Sequence, residues 1–121
     1  MCPANNWGLP TNATSVVLNM TVTSTTTFSW LTVYPMGSAL PTVSNLNWVG
    51  GQTVPNLVEV NLGTKQCVTI NNANGSTDVV ADLEGWFAPP GAVTAGGFVP
   101  LVPARVNDTR VGARRLAPAT A

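Results

Sequence analysis

The chain has no histidine, and no side chain between Met1 and Val58 carries a charge. The first absence removes imidazole as a base or metal ligand and rules out the usual Ser/His and Cys/His nucleophile arrangements. Charged residues make up only 8% of the chain, and four of the five basic ones, Arg105, Arg110, Arg114 and Arg115, crowd into RVNDTRVGARR near the end. A nucleic-acid binder spreads its basic residues over a groove-sized face, so no nucleic-acid partner is expected. No apolar run approaches the roughly 18 residues that a membrane span needs. The opening MCPANNWG lacks the charged and apolar regions of a signal peptide, so any export signal is expected to have been removed or to lie outside this chain. Cys2 and Cys67 are the only cysteines. They allow one intrachain disulfide at most, with two free thiols as the alternative.

What is present is a neutral-polar β sequence. The 121 residues are 45% hydrophobic, and much of the remainder is Thr, Asn and Ser. Hydroxyls and amides thus replace Lys and Glu on the outward faces. The apolar period is two rather than 3.6. In SVVLNMTVTS, Val16, Leu18, Met20 and Val22 share one face, and in NLVEVNL Val58, Val60 and Leu62 point inward while Leu57, Glu59 and Asn61 point outward. FSWLTVY, SNLNWV, QCVTI, TDVVADLEGWF and GFVPLVPARV are further strands, separated by the turn signals YPMGSALP, GGQTVP, NLGTKQ, NNANGST and APPGAVTAGG. About seven short strands without a helical stretch predict an all-β antiparallel sandwich. Its body is residues 1–97, and residues 98–121 form a C-terminal edge strand or extended arm with a basic tail, because Pro100 and Pro103 cannot donate to a central ladder.

The net charge of zero hides a division. Residues 1–104 hold Lys65 against Glu59, Asp78, Asp82 and Glu84, or −3, while residues 105–121 hold four Arg against Asp108, or +3. Either the tail is solvated, or it pairs with the acidic body of this chain or of a neighbour. Arg114 and Arg115, beyond the NDTR segment, are expected to stay solvated.

VVLNMTVTS, LTVYPMGSALPTVSNLNWVGGQTVPNLVEV, STDVVADLEGWF and FVPLVPARVNDTR resemble the repeat domain of secreted and cell-surface actinobacterial proteins, often found beside cell-wall hydrolases. The resemblance spans residues 14–110. It implies an extracellular or cell-surface accessory module with no catalysis and no cofactor of its own. Similar repeats place a cysteine where Met36 stands and pair it with one matching Cys67. That bridge cannot form here, which leaves Cys2 as the substitute. RVNDTR usually opens such a repeat, whereas here it closes the chain, so it either folds back on its own sandwich or completes the next molecule.

The function expected from these features is that of a structural or adhesive surface module associating head-to-tail with copies of itself. Strand complementation by the arm would build filaments or other oligomers. Phe98, Val99, Leu101 and Val106 would supply its apolar contacts, and Arg105 and Arg110 its orientation. The alternative is a module binding cell-wall or other polysaccharide, with Trp7, in a polar stretch, as the exposed aromatic; Trp48 and Trp86 follow apolar alternation into the core. Asp82 and Glu84 would share the polar side of one strand, and with Asp78 are read as solvated carboxylates rather than as catalytic or calcium-binding groups. Asn45, Asn47 and Asn56 are read as structural amides capping backbone groups at turns. The sequons at Asn12, Asn19, Asn74 and Asn107 are those expected of a chain rich in Asn and Thr.

Overall fold

Alternation in SVVLNMTVT builds the first strand, β1 (Ser15–Thr23), whose Val16, Leu18, Met20 and Val22 are wholly buried. The computed structural model describes residues 1–2, 7–89, 97–111 and 115–118. Six further strands follow: β2 (Ser29–Pro35), β3 (Leu46–Trp48), β4 (Val54–Asn61), β5 (Val68–Asn72), β6 (Asp78–Phe87) and β7 (Phe98–Asp108). They form a four-stranded sheet, β4-β1-β6-β7, and a three-stranded sheet, β3-β2-β5, with every pairing antiparallel. The fold is thus the expected antiparallel sandwich of seven strands.

The inner faces meet as the alternation requires. Leu18, Met20, Val58, Val60, Val79, Ala81 and Leu83 from one sheet pack with Leu31, Val33, Leu46, Trp48 and Val68 from the other. Each large side chain so buried stabilises the fold by about 1.5–3 kcal/mol. Trp7 belongs to the same cluster at 5% exposure, which corrects its assignment as an exposed aromatic. The area of an indole outweighs the polarity of its sequence neighbours. The Gln66 side chain holds the segment after Trp7 in place by donating to the carbonyls of Pro10 (3.1 Å), Thr11 (3.3 Å) and Ala13 (3.3 Å).

Glu84 marks an irregularity. On β1 the register passes from Leu18↔Leu83 to Val17↔Gly85 and skips Glu84, while on β7 it passes from Leu83↔Ala104 to Gly85↔Pro100. Burial still alternates from Ala81 to Gly85, with Asp82 and Glu84 both half-buried, and the bulge falls at Glu84 and Gly85, which together face Val17. The bulge also restores the phase for Trp86, which lies opposite Val16 and packs against the core. Opposite Glu84, Leu101, Val102 and Pro103 of β7 have no partner in the register, so the proline lies where no ladder hydrogen bond is needed.

The segment expected as edge strand or arm pairs with β6 of its own chain. Leu101 and Val106 pack against the core, and the Phe98 ring stands 5.0 Å from that of Phe87 at 49°. Gly85 makes this seat possible, because a Cβ there would lie 2.5 Å from the Phe98 ring. Cys2 and Cys67 are joined by a disulfide. Across so long a loop, chain-entropy arguments give about 4 kcal/mol of stabilisation. Beside it, Val68 donates its N–H to the Met1 carbonyl at 2.9 Å, covering part of the outer edge of β5.

Two outcomes are expected. Alkylation of the unreduced protein should add no mass, and two added alkyl groups would contradict the Cys2–Cys67 bridge. Ending the chain after Gly97 should uncover β6 and give an aggregating or unfolded monomer, while a peptide of residues 98–116 supplied in trans should restore the circular-dichroism signature of the sandwich.

Candidate binding groove

The outward face of the three-stranded sheet is built by register. With Leu31 and Val33 turned to the core, Trp30 and Thr32 of β2 fall on the outer side. Trp30 lies directly opposite Asn47 of β3, and Thr32 directly opposite Asn71 of β5. Asn47 thus faces the tryptophan across the ladder and Asn71 lies diagonally from it, and side-chain amides both donate and accept hydrogen bonds. The Ala73 N–H donates to the Trp30 carbonyl at 3.2 Å and continues this edge beyond β5.

Residues 36–44 form an exposed loop that supplies the opposite wall. Thr32 anchors it, donating its hydroxyl to the Val43 carbonyl at 2.7 Å, and is itself buried in consequence. Farther along, the Asn45 N–H donates to the Leu31 carbonyl at 2.8 Å, and the Asn45 side-chain oxygen accepts from the Val33 N–H at 2.7 Å. Asn56 closes the arrangement from the other sheet, donating to the Asn45 carbonyl at 2.6 Å. Asn47 donates to the Ser44 hydroxyl at 3.0 Å. Asn45 and Asn56 therefore hold the loop base as structural amides, while Asn47 also lines the groove. The result is an open groove of about 510 Å³ between Trp30, the two asparagines and the loop side chains Leu40 and Val43. Trp30 is 40% exposed, and both loop side chains are more than half exposed.

Charge is confined to other parts of the molecule. β2, β3 and β5 contain no charged residue, and none lines the groove among the described residues. On the four-stranded sheet, Arg105 donates from Nε to Asp82 at 2.8 Å, and Arg110 donates to both oxygens of Asp108 at 2.9 Å. Arg115 reaches Asp78 at 3.4 Å and also bonds the Ser24 and Ser76 carbonyls. The tail thus pairs with the acidic body of its own chain. Arg115 departs from the expected solvated state because Asp78 and these carbonyls give it acceptors; Arg114 lies outside the described residues. Asp78 and Asp82 are engaged in these bonds, and no group of three or more acidic or cysteine side chains gathers among the described residues.

The candidate interface residues divide. Val99, Leu101 and Val106 are half-buried against β6 and the core, Phe98 is seated over Gly85, and Arg105 and Arg110 are ion-paired. Among the described residues the most exposed large apolar side chain is Val102, at 89%. Two features escaped the sequence reading. Trp30 was marked by the Leu31/Val33 alternation that puts it outward. Asn72 carries no such mark: it is wholly buried, accepts from Ser29 Oγ at 2.7 Å and donates to the Gly75 and Leu116 carbonyls.

No family model, curated protein or solved structure matches the chain.

The hydrogen bonds from the Arg110 side chain, aided by its N–H and by the charges of Arg110 and Arg105, hold the Asp108 carboxyl down at about 2, against an ordinary 3.8. A pKa lower in the folded state adds stability above the unfolded value, and that stability is lost as pH falls through the folded one. Thermal stability should therefore decline from about pH 4 toward pH 2, and Asp108→Asn should flatten that decline. An unchanged acid profile in the variant would remove Asp108 from the explanation.

Proposed function

We propose that the protein is an exported, non-enzymatic surface module that binds polysaccharide in the groove beside Trp30. The observation that carries the reading is a half-exposed indole facing Asn47 on β3, with Asn71 lining the same groove. A flat aromatic face packs against the apolar C–H face of a sugar, and side-chain amides match its hydroxyls as donors and acceptors. Nothing lining the groove titrates near neutral pH, which supports a binding role rather than acid–base chemistry. Relation to the actinobacterial surface repeats, and with it the extracellular location, is part of the same proposal.

Self-association is the second reading. It takes the form of exchange, in which β7 of one copy occupies the place of β7 in the next. It is supported by the fact that the main partners of β7 lie on β6, so that Arg105–Asp82 and Phe98–Gly85 contacts form equally well between chains. Size-exclusion chromatography over a range of concentrations tests it, and a strict monomer throughout would end it.

For the groove, Trp30→Ala should lower retention on immobilised cell-wall polysaccharide by at least about tenfold in affinity. Its melting temperature should stay close to the parent's, since surface changes shift stability by only about 0.5 kcal/mol. Equal retention of the variant and the parent would refute the site.

A further inference from the structure

Resting on the glycan-binding reading, we infer that the groove selects a neutral glycan carrying acetamido groups. Two observations narrow the ligand. The first is charge. The three strands beneath the groove contain no ionic residue, and the ion pairs of the molecule lie on the other sheet and its C-terminal extension. An anionic or cationic polymer would lose hydration in this groove without meeting a counter-charge. A neutral one loses nothing of the kind.

The second observation is the second apolar wall. An unsubstituted sugar ring offers an apolar face that Trp30 alone can cover. Leu40 and Val43 line the same groove, and both are more than half exposed. Facing a purely hydroxylated chain, these two side chains would stay wet or force sugar hydroxyls to surrender water. An acetamido substituent answers both requirements. Its methyl group buries against the loop side chains, and its amide is a donor and an acceptor of the same kind as the side chains of Asn47 and Asn71.

The test uses the intact protein and four oligosaccharides of matched length, measured by titration calorimetry. They are β-linked N-acetylglucosamine, β-linked glucose, the cationic de-N-acetylated glucosamine, and hyaluronan, which carries acetamido groups together with carboxylates. The expected result is that the first binds at least about tenfold more tightly than each of the others. Its affinity should change by less than about twofold between about 0.05 and 0.5 M salt, because no charge contributes. Replacing both Leu40 and Val43 by Ser should remove the preference for the acetylated chain while glucose binding persists. Equal or tighter binding of glucose or of a charged probe, still abolished by Trp30→Ala, would overturn the acetamido inference and leave the groove standing. Binding that survives Trp30→Ala, or no binding of any of the four, would overturn the groove reading and this inference with it.

Discussion

The hydroxyl of Thr109 donates to the carboxylate of Asp78 at 2.9 Å and accepts from the N–H of Val79 at the same distance, and both bonds are buried. Much of the C-terminal architecture depends on this contact. Asp78 opens β6, an interior strand, and a carboxylate left there without donors would bear a desolvation cost of several kcal/mol. Among the described residues its side-chain donors are far along the chain: Thr109, and the Arg115 guanidinium at 3.4 Å. The Thr109 N–H also reaches the Val79 carbonyl at 3.0 Å, and Leu116 exchanges two backbone bonds with Thr77. The end of the chain is therefore drawn onto the start of β6, and β7 must lie along β6 to get there.

This explains why a nearly neutral domain ends in arginines. Exposed ion pairs contribute only about 0–1 kcal/mol each, so Arg105–Asp82 and Arg110–Asp108 add little to stability. Arg105–Asp82, which crosses from β7 to β6, discriminates among registers instead. A slip of β7 by one residue would turn Arg105 to the opposite face and leave Asp82 facing no cation. With Leu101, Val102 and Pro103 unpaired, the backbone ladder alone specifies that register weakly. The Arg105–Asp82 pair and the Phe98 seat over Gly85 fix it on either side of the break.

The strands, their inward faces and the structural amides were legible because each rests on local pattern. Val16 to Val22 alternate strictly, and burial follows. What escaped depends on partners distant in sequence. Trp7 sits among polar residues, and only the assembled sheets show that it fills the core. The bulge at Glu84 follows from the combined demands of β1 and β7 on β6, neither of which is visible within TDVVADLEGWF. Asn72 looks like any other asparagine until Ser29 and Leu116 are brought to it. The groove needed one inference that alternation did support, the outward placement of Trp30, and one that it did not, the path of residues 36–44 across the sheet.

The sheet edges decide how such a module can meet anything else. β4 carries Pro55 and the outward Glu59, β7 carries Pro100 and Pro103, β3 has only three residues, and β5 is partly covered by Met1 at Val68. Prolines, charges and short lengths are the devices by which sheets refuse additional strands. Backbone pairing with a partner is thereby discouraged at each of the four edges, which leaves exchange of β7, or recognition by side chains on a face. The face of the four-stranded sheet spends Asp82, Arg105 and Asp108 on ion pairs within the chain. The face of the three-stranded sheet has no such engagement: its Trp30 and amides are held rigidly by register and remain half open to solvent. A surface of uncharged, mixed aromatic and amide character is the basis on which the groove, rather than the charged sheet, is proposed as the binding face.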